Sequence, residues 1–168
     1  MRVLALGDKS QASMFFGEDA EYVNETPFEA VFLGSHLQTV QRHQVVTVLE
    51  KLAAELPDGG RIIATVPSLE WACKEIVIRD PEELGLAPYI SIYGTEDELC
   101  KCGFTMAWLR LCFESVGMLV VSATSEWFTM RIGMGEASKE ERAMQHILIA
   151  LKREQDPRDA ISWLKPST

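Results

Sequence analysis

Apolar residues gather along this chain in short blocks whose spacing switches between a strand-like and a helix-like rhythm. RVLALG, 2–7, is an apolar run stopped by glycine and predicts a buried strand. KSQASMFF, 9–16, has the length of two helical turns, and AEYVN, 20–24, that of a short strand before Pro27 closes a turn. FEAVFLG, 28–34, is apolar and rich in β-formers, a further strand. From Gln38 the period changes. Val45, Val48, Leu49, Leu52, Ala53 and Leu56 recur at three- and four-residue steps and share one helical face. Pro57 with Gly59 and Gly60 stops that helix. RIIATV, 61–66, lacks polar alternation, as a strand covered on both faces does.

Ser68 is placed to cap a helix reaching about Val77. Residues 80–95, DPEELGLAPYISIYGT, are punctuated by Pro and Gly and read as a loop over the end of the sheet. Thr95 and Glu98 have capping-box spacing for a short helical turn. Thr105 caps the next helix, with Trp108, Leu109, Cys112 and Val116 facing inward and Gly117 ending it. LVVSATSEWFTMRI, 119–132, alternates in part and predicts a long strand. GMGEASKEERAMQ reads as a charged connection, and HILIALKR, 146–153, as the last strand. Strands and helices in this order predict a three-layer, Rossmann-like α/β domain over 1–153 with a mainly parallel sheet. The last two strands form an antiparallel hairpin at one edge, and 154–168 is a tail.

Composition narrows the function classes. Of 168 residues, 47% are apolar and 24% charged, which suits one globular domain. A net charge of −9 argues against direct binding to nucleic acid or an anionic membrane, since a polyanion is repelled over most of the surface. Cys73, Cys100, Cys102 and Cys112 are too few and too uneven for a disulfide scaffold and read as reduced thiols. MRVLALGDKS is not a signal peptide, and no apolar run approaches the ~20 residues of a membrane span. The expected location is the cytoplasm, or a particle assembled there.

With these elements placed, the chain resembles the class I S-adenosylmethionine-dependent methyltransferases, and most closely the small methyltransferase-domain proteins with a strand-Ser-His motif. FEAVFLGSH resembles the family's fourth strand, and LPDGGRIIATVPSLEW its Pro-Gly-Gly turn, fifth strand and following helix. IYG, 92–94, and CGFTMAWLRLCFESVGM, 102–118, resemble its later helix. The likeness spans most of 28–132. It implies a cofactor held by a Gly-rich turn after the first strand, an acidic residue ending the second, and an Asp region after the third. Here RVLALGDK supplies Gly7 followed by Asp8, about a dozen residues lead to AEYVN, and nothing before Pro27 corresponds to a third strand. Glu21 or Glu25 stands nearest the place of the ribose acid. Leu37-Gln38-Thr39-Val40 replaces the family's Leu-Glu-His continuation, and Cys100 stands where a histidine often precedes Gly-Phe-Thr. The resemblance therefore implies a degenerate domain with an abbreviated first half, without a bound cofactor, acting as a binding or structural component of a larger assembly such as a viral particle. The competing expectation is a small active methyltransferase that binds S-adenosylmethionine.

The candidate site residues follow from the crevice at the carboxyl ends of the strands, where open α/β sheets bind ligands. Gly7 and Asp8 are either a ligand cradle or a strand-to-turn pair. Gly34, Ser35 and His36 close the next strand, and His36 is either a proton-transfer group or a helix cap. His43 belongs to a solvated helix face and His146 to a strand start. Cys100-Lys-Cys102 offers two ligands where a structural zinc needs about four, so no metal is expected. Ile161, Trp163 and Leu164 in the polar tail either fold back or anchor a protein partner, a second copy of the chain included.

Overall fold

The computed structural model describes residues 1–80, 82–95, 99–132 and 138–153. The chain runs β1 (Arg2–Ala5), α1 (Lys9–Phe16), β2 (Glu21–Val23), β3 (Ala30–Gly34), α2 (His36–Thr39), a 3-10 turn (Arg42–Gln44) and α3 (Val45–Glu55). It continues through β4 (Arg61–Pro67), α4 (Leu69–Ile78), α5 (Ala87–Tyr93), α6 (Met106–Ser115), β5 (Met118–Ile132) and β6 (Lys139–Lys152). The six strands form one sheet in the order β2-β1-β3-β4-β6-β5. The first four are parallel; β6 lies antiparallel to β4, and β5 antiparallel to β6. This is the expected Rossmann-like sheet with a C-terminal antiparallel hairpin.

Alternation along β3 sorts the two faces. Ala30 and Phe32 join Val3, Ile63 and Ala12 of α1 on one side, where Phe15 packs 5.6 Å from Phe32 between ring centroids. Val31 and Leu33 join Ile62, Ala64 and Val66 on the other, under Leu49 and Leu52 of α3 and Leu109 and Phe113 of α6. Burial on both faces explains the unbroken apolar runs of β3 and β4.

The connection between β2 and β3 is unusually direct. Parallel strands ordinarily need a crossover of a dozen or more residues, most often helical. Here 24–29 alone carry the chain back, with Phe28 buried in the core and the Glu29 N–H donating to the Arg2 carbonyl at 2.8 Å. So short a return is feasible because β2 is only three residues long. Among the described residues β2 is the edge, with no strand beyond it.

The caps are where the sequence places them. Ser68 accepts from the Trp71 N–H and Thr105 from the Trp108 N–H, both at 3.2 Å. Two expectations are corrected. Residues 87–93, expected as loop, are helix α5, because Pro88 sits in its first turn, where proline lacks no needed donor, and Gly94 ends it at φ 80°. Residues 139–145, expected as part of a charged connection, are the first half of β6. They pair with β5 as far as Ile132–Lys139, and Ala143 is buried against Trp71 and Ala87. The capping turn expected at 95–98 and the tail with Ile161, Trp163 and Leu164 lie outside the described residues.

Candidate functional site

At the carboxyl ends of β1 and β3, Gly7 and Gly34 lie backbone against backbone. A Cβ on Gly7 would stand 2.9 Å from the Gly34 Cα, and one on Gly34 would stand 3.1 Å from the Gly7 Cα. Gly34 also has φ +52°, a left-handed conformation that favours glycine. The Leu6 N–H donates to the Phe32 carbonyl at 2.9 Å, which holds the two strand ends together past the last formal ladder pair. Asp8 caps α1, its carboxylate accepting from the Ser10 N–H at 2.8 Å. The start of that helix, where backbone N–H groups would receive a ligand anion, therefore carries a fixed negative charge.

The other predicted residues are distributed unevenly around this point. Ser35 precedes α2 without a side-chain cap bond. His36 is the first residue of α2, and its carbonyl accepts from the Thr39 hydroxyl at 2.8 Å, so it is within the helix rather than a cap before it. The imidazole is half-buried. Glu21 is corrected: it opens β2 opposite Arg2, with which it pairs at 3.7 Å, at the amino end of the sheet, away from the crevice. Glu25 is exposed just beyond the carboxyl end of β2. His43 is exposed on the 3-10 turn. Cys102 is buried, and burial pushes its thiol up to about 11 against the opposing charge of Arg42. Burial also raises Cys112.

A second constellation lies at the carboxyl end of β4, and sequence reasoning did not assemble it. His146 on β6 is 3% exposed. Its Nδ1 is 2.8 Å from the Ser125 hydroxyl on β5, and its Nε2 is 2.7 Å from Glu70 Oε2 at the start of α4. Glu70 is itself clamped: Oε1 accepts from the Met106 N–H at 2.9 Å, and Oε2 from the Ser68 hydroxyl at 3.3 Å. Partial burial works to raise the Glu70 carboxyl. The hydrogen bond to His146, the backbone N–H groups of Glu70 and Met106, and the His146 charge outweigh it and hold the carboxyl below its ordinary 4.5. An ionised Glu70 can only accept, so His146 Nε2 donates to it, and in the neutral form of the imidazole Nδ1 is the nitrogen left to accept from the Ser125 O–H. The three groups thus form one directed hydrogen-bond row.

Beside this row a cleft of about 620 Å³ opens between α4, residues 83–88 and the β5–β6 hairpin. Trp71 and Trp127 line it edge to face, with centroids 5.9 Å apart, and the Arg142 guanidinium lies 4.9 Å over the Trp127 ring. Arg79 is ion-paired with Glu75, and Glu141 accepts from the Ala87 N–H at 2.8 Å. The Trp71 Nε1 is buried with no hydrogen-bond partner among the described residues. Glu70 and Trp71 are consecutive, and Ser125 and Trp127 are two apart on one strand face, so row and cleft adjoin.

No family model matches the chain, and no curated protein sequence matches it. Solved structures do. A candidate methyltransferase from Bacillus halodurans is similar with TM-score 0.54 at 12% identity, over 92% of this chain and 84% of that one. Human N-acetylserotonin methyltransferase, in complex with S-adenosylmethionine, is similar with TM-score 0.53 at 12% identity, over 91% of this chain and 48% of that one. TehB from Haemophilus influenzae has TM-score 0.51 at 7% identity, over 90% and 57%. At such identities the likeness shows the fold. The chain has the class I methyltransferase-like fold that its FEAVFLGSH and LPDGGRIIATVPSLEW segments resemble.

Proposed function

We propose that this protein is a methyltransferase-fold domain that does not transfer methyl groups, and that it serves as a binding or structural component of a larger assembly. The observation that carries the reading is the contact of Gly7 with Gly34 below an Asp8-capped helix. A nucleoside-bearing ligand such as S-adenosylmethionine needs space over the first strand and a carboxylate for its ribose. Its own carboxylate would also meet Asp8 where a bare helix start would otherwise attract it. The direct return from β2 to β3 supports the same reading, because among the described residues it places no helix between these strands to cover an adenine. The proposed partner is a protein, either another chain or a second copy, and the tail residues Ile161, Trp163 and Leu164 are the proposed anchor. The proposed location is the cytoplasm or a particle assembled there, a viral particle being one form of such an assembly.

The competing reading is a small active S-adenosylmethionine-dependent methyltransferase that uses Gly7, Asp8, Gly34, Ser35 and His36. It is favoured by the half-buried His36 imidazole at the carboxyl end of β3, which makes no hydrogen bond among the described residues. Calorimetric titration with S-adenosylmethionine and S-adenosylhomocysteine separates the two. The leading reading expects no heat of binding at millimolar ligand, and micromolar binding would overturn it. Mass measurement in solution tests the assembly role: a dimer or higher species is expected, or a complex with the partner, and a strict monomer that captures nothing counts against it.

A further inference from the structure

We propose that Ser125, His146 and Glu70 form an acyl-transfer site, with Ser125 as nucleophile, His146 as general base and Glu70 as the positioning residue. The substrate class is a carboxylic ester with an apolar or aromatic group that fits the cleft between Trp71 and Trp127. A nucleophile and a base within hydrogen-bond reach, with the base oriented by a third group, is the arrangement that activates serine. The distances here are 2.8 Å and 2.7 Å; with Nε2 donating to Glu70, the neutral imidazole presents Nδ1 to take the Ser125 proton. The accessibility pattern also fits. His146 is buried and Ser125 is exposed on an edge strand, so the base is shielded while the hydroxyl faces incoming molecules. Glu70 is immobilised by Met106 N–H and Ser68, which fixes the imidazole plane before any substrate arrives. Along the outer side of β5 alternate backbone N–H groups have no strand partner among the described residues, and these are the donors available to a developing oxyanion.

The step balances without another cofactor. Ser125 Oγ forms a bond to the ester carbonyl carbon as its proton passes to His146 Nδ1. The tetrahedral adduct collapses, the carbon–oxygen bond to the leaving alcohol breaks, and His146 returns the proton to that oxygen. Water then attacks the acyl-serine, gives its proton to His146, and releases the carboxylic acid as Ser125 recovers its own.

The inference is independent of whether S-adenosylmethionine binds. Its test is to incubate the full chain with a fluorophosphonate probe, map adducts by peptide mass spectrometry, and follow p-nitrophenyl butyrate for a burst of p-nitrophenol. The expected result is one adduct at Ser125 and a burst equal to the protein concentration. Both should be absent in Ser125→Ala, whose exposed position leaves the circular dichroism spectrum unchanged. Labelling should fall by about 100-fold or more in His146→Gln, the scale of lost general-base assistance. Because His146 is buried, Glu70→Gln at a half-exposed position provides the second variant, with labelling slowed while the fold is retained. Absence of a Ser125 adduct in the folded protein would overturn the proposal. So would a Ser125 adduct formed at the same rate in Glu70→Gln, since that would mark an ordinary surface hydroxyl.

Discussion

Substituting Gly7→Ala asks directly whether the ends of β1 and β3 touch. Gly7 has no positive φ, so alanine meets no conformational penalty there, and its methyl group is the whole perturbation. That methyl carbon would stand 2.9 Å from the Gly34 Cα and 3.1 Å from both the Gly34 nitrogen and the Leu33 carbonyl oxygen. Comfortable carbon–carbon contact is about 3.5–4.0 Å, so two strand ends would have to part by several tenths of an ångström. All three obstacles are backbone, and no rotamer change relieves them. Overpacking of this kind costs about 1–3 kcal/mol. The smaller entropy of an unfolded alanine chain returns about 0.4–1 kcal/mol. Mid-range values, about 2 against about 0.7 kcal/mol, leave a net loss of about 1.3 kcal/mol, which for a domain of this size lowers Tm by about 3–5 °C. Thermal and urea melts followed by circular dichroism read it. An unchanged or higher Tm would refute the reasoning, because it would mean that the ends of β1 and β3 leave room for a methyl group and are not in backbone contact.

The remaining predictions concern the row and the thiols. Glu70 has a folded pKa below its unfolded value, so the stability it contributes is fully present above about pH 4.5 and is lost as pH falls through the lower folded pKa. Urea melts of wild type and Glu70→Gln should therefore differ most near pH 6 and converge in the acid range; a gap that widens on acidification would contradict the assigned ionisation. Among the cysteines, exposed Cys73 should react rapidly with a thiol reagent at pH 8, while Cys102, with its thiol near 11, and buried Cys112 should react only on unfolding. Prompt modification of Cys102 in the folded chain would show that its burial is wrong.

The parts legible in the sequence are those set by local rules. The 9–16 helix, the strand at 61–66 and the caps Ser68 and Thr105 depend on periodicity and on side-chain bonds two or three residues away. The misread parts depend on context. Pro88 looks like a breaker until its position in the first turn of α5 is known. The KEER run of β6 looks like solvated connection because its charges lie where the hairpin extends beyond the rest of the sheet. That second misreading hid the polar row. With 139–145 as strand, the pairing of Ile132 with Lys139 carries down the ladder to Ser125 opposite His146. Glu70 had no such signal, since it lies 76 positions from its partner and reaches it only through the packing of α4 on the hairpin. At the crevice the reverse holds. The single Gly7-Asp8 pair and the scarcity of residues before Pro27 were visible, and they correspond to the closed strand ends and the direct β2–β3 return.

A crystal structure grown with millimolar S-adenosylhomocysteine tests the central claim most directly. The account predicts Gly7 and Gly34 still in contact, Asp8 still capping α1, and no nucleoside above β1. Adenosine density over the tip of β1, with the strand ends parted and the ribose hydroxyls on Glu25, would contradict it.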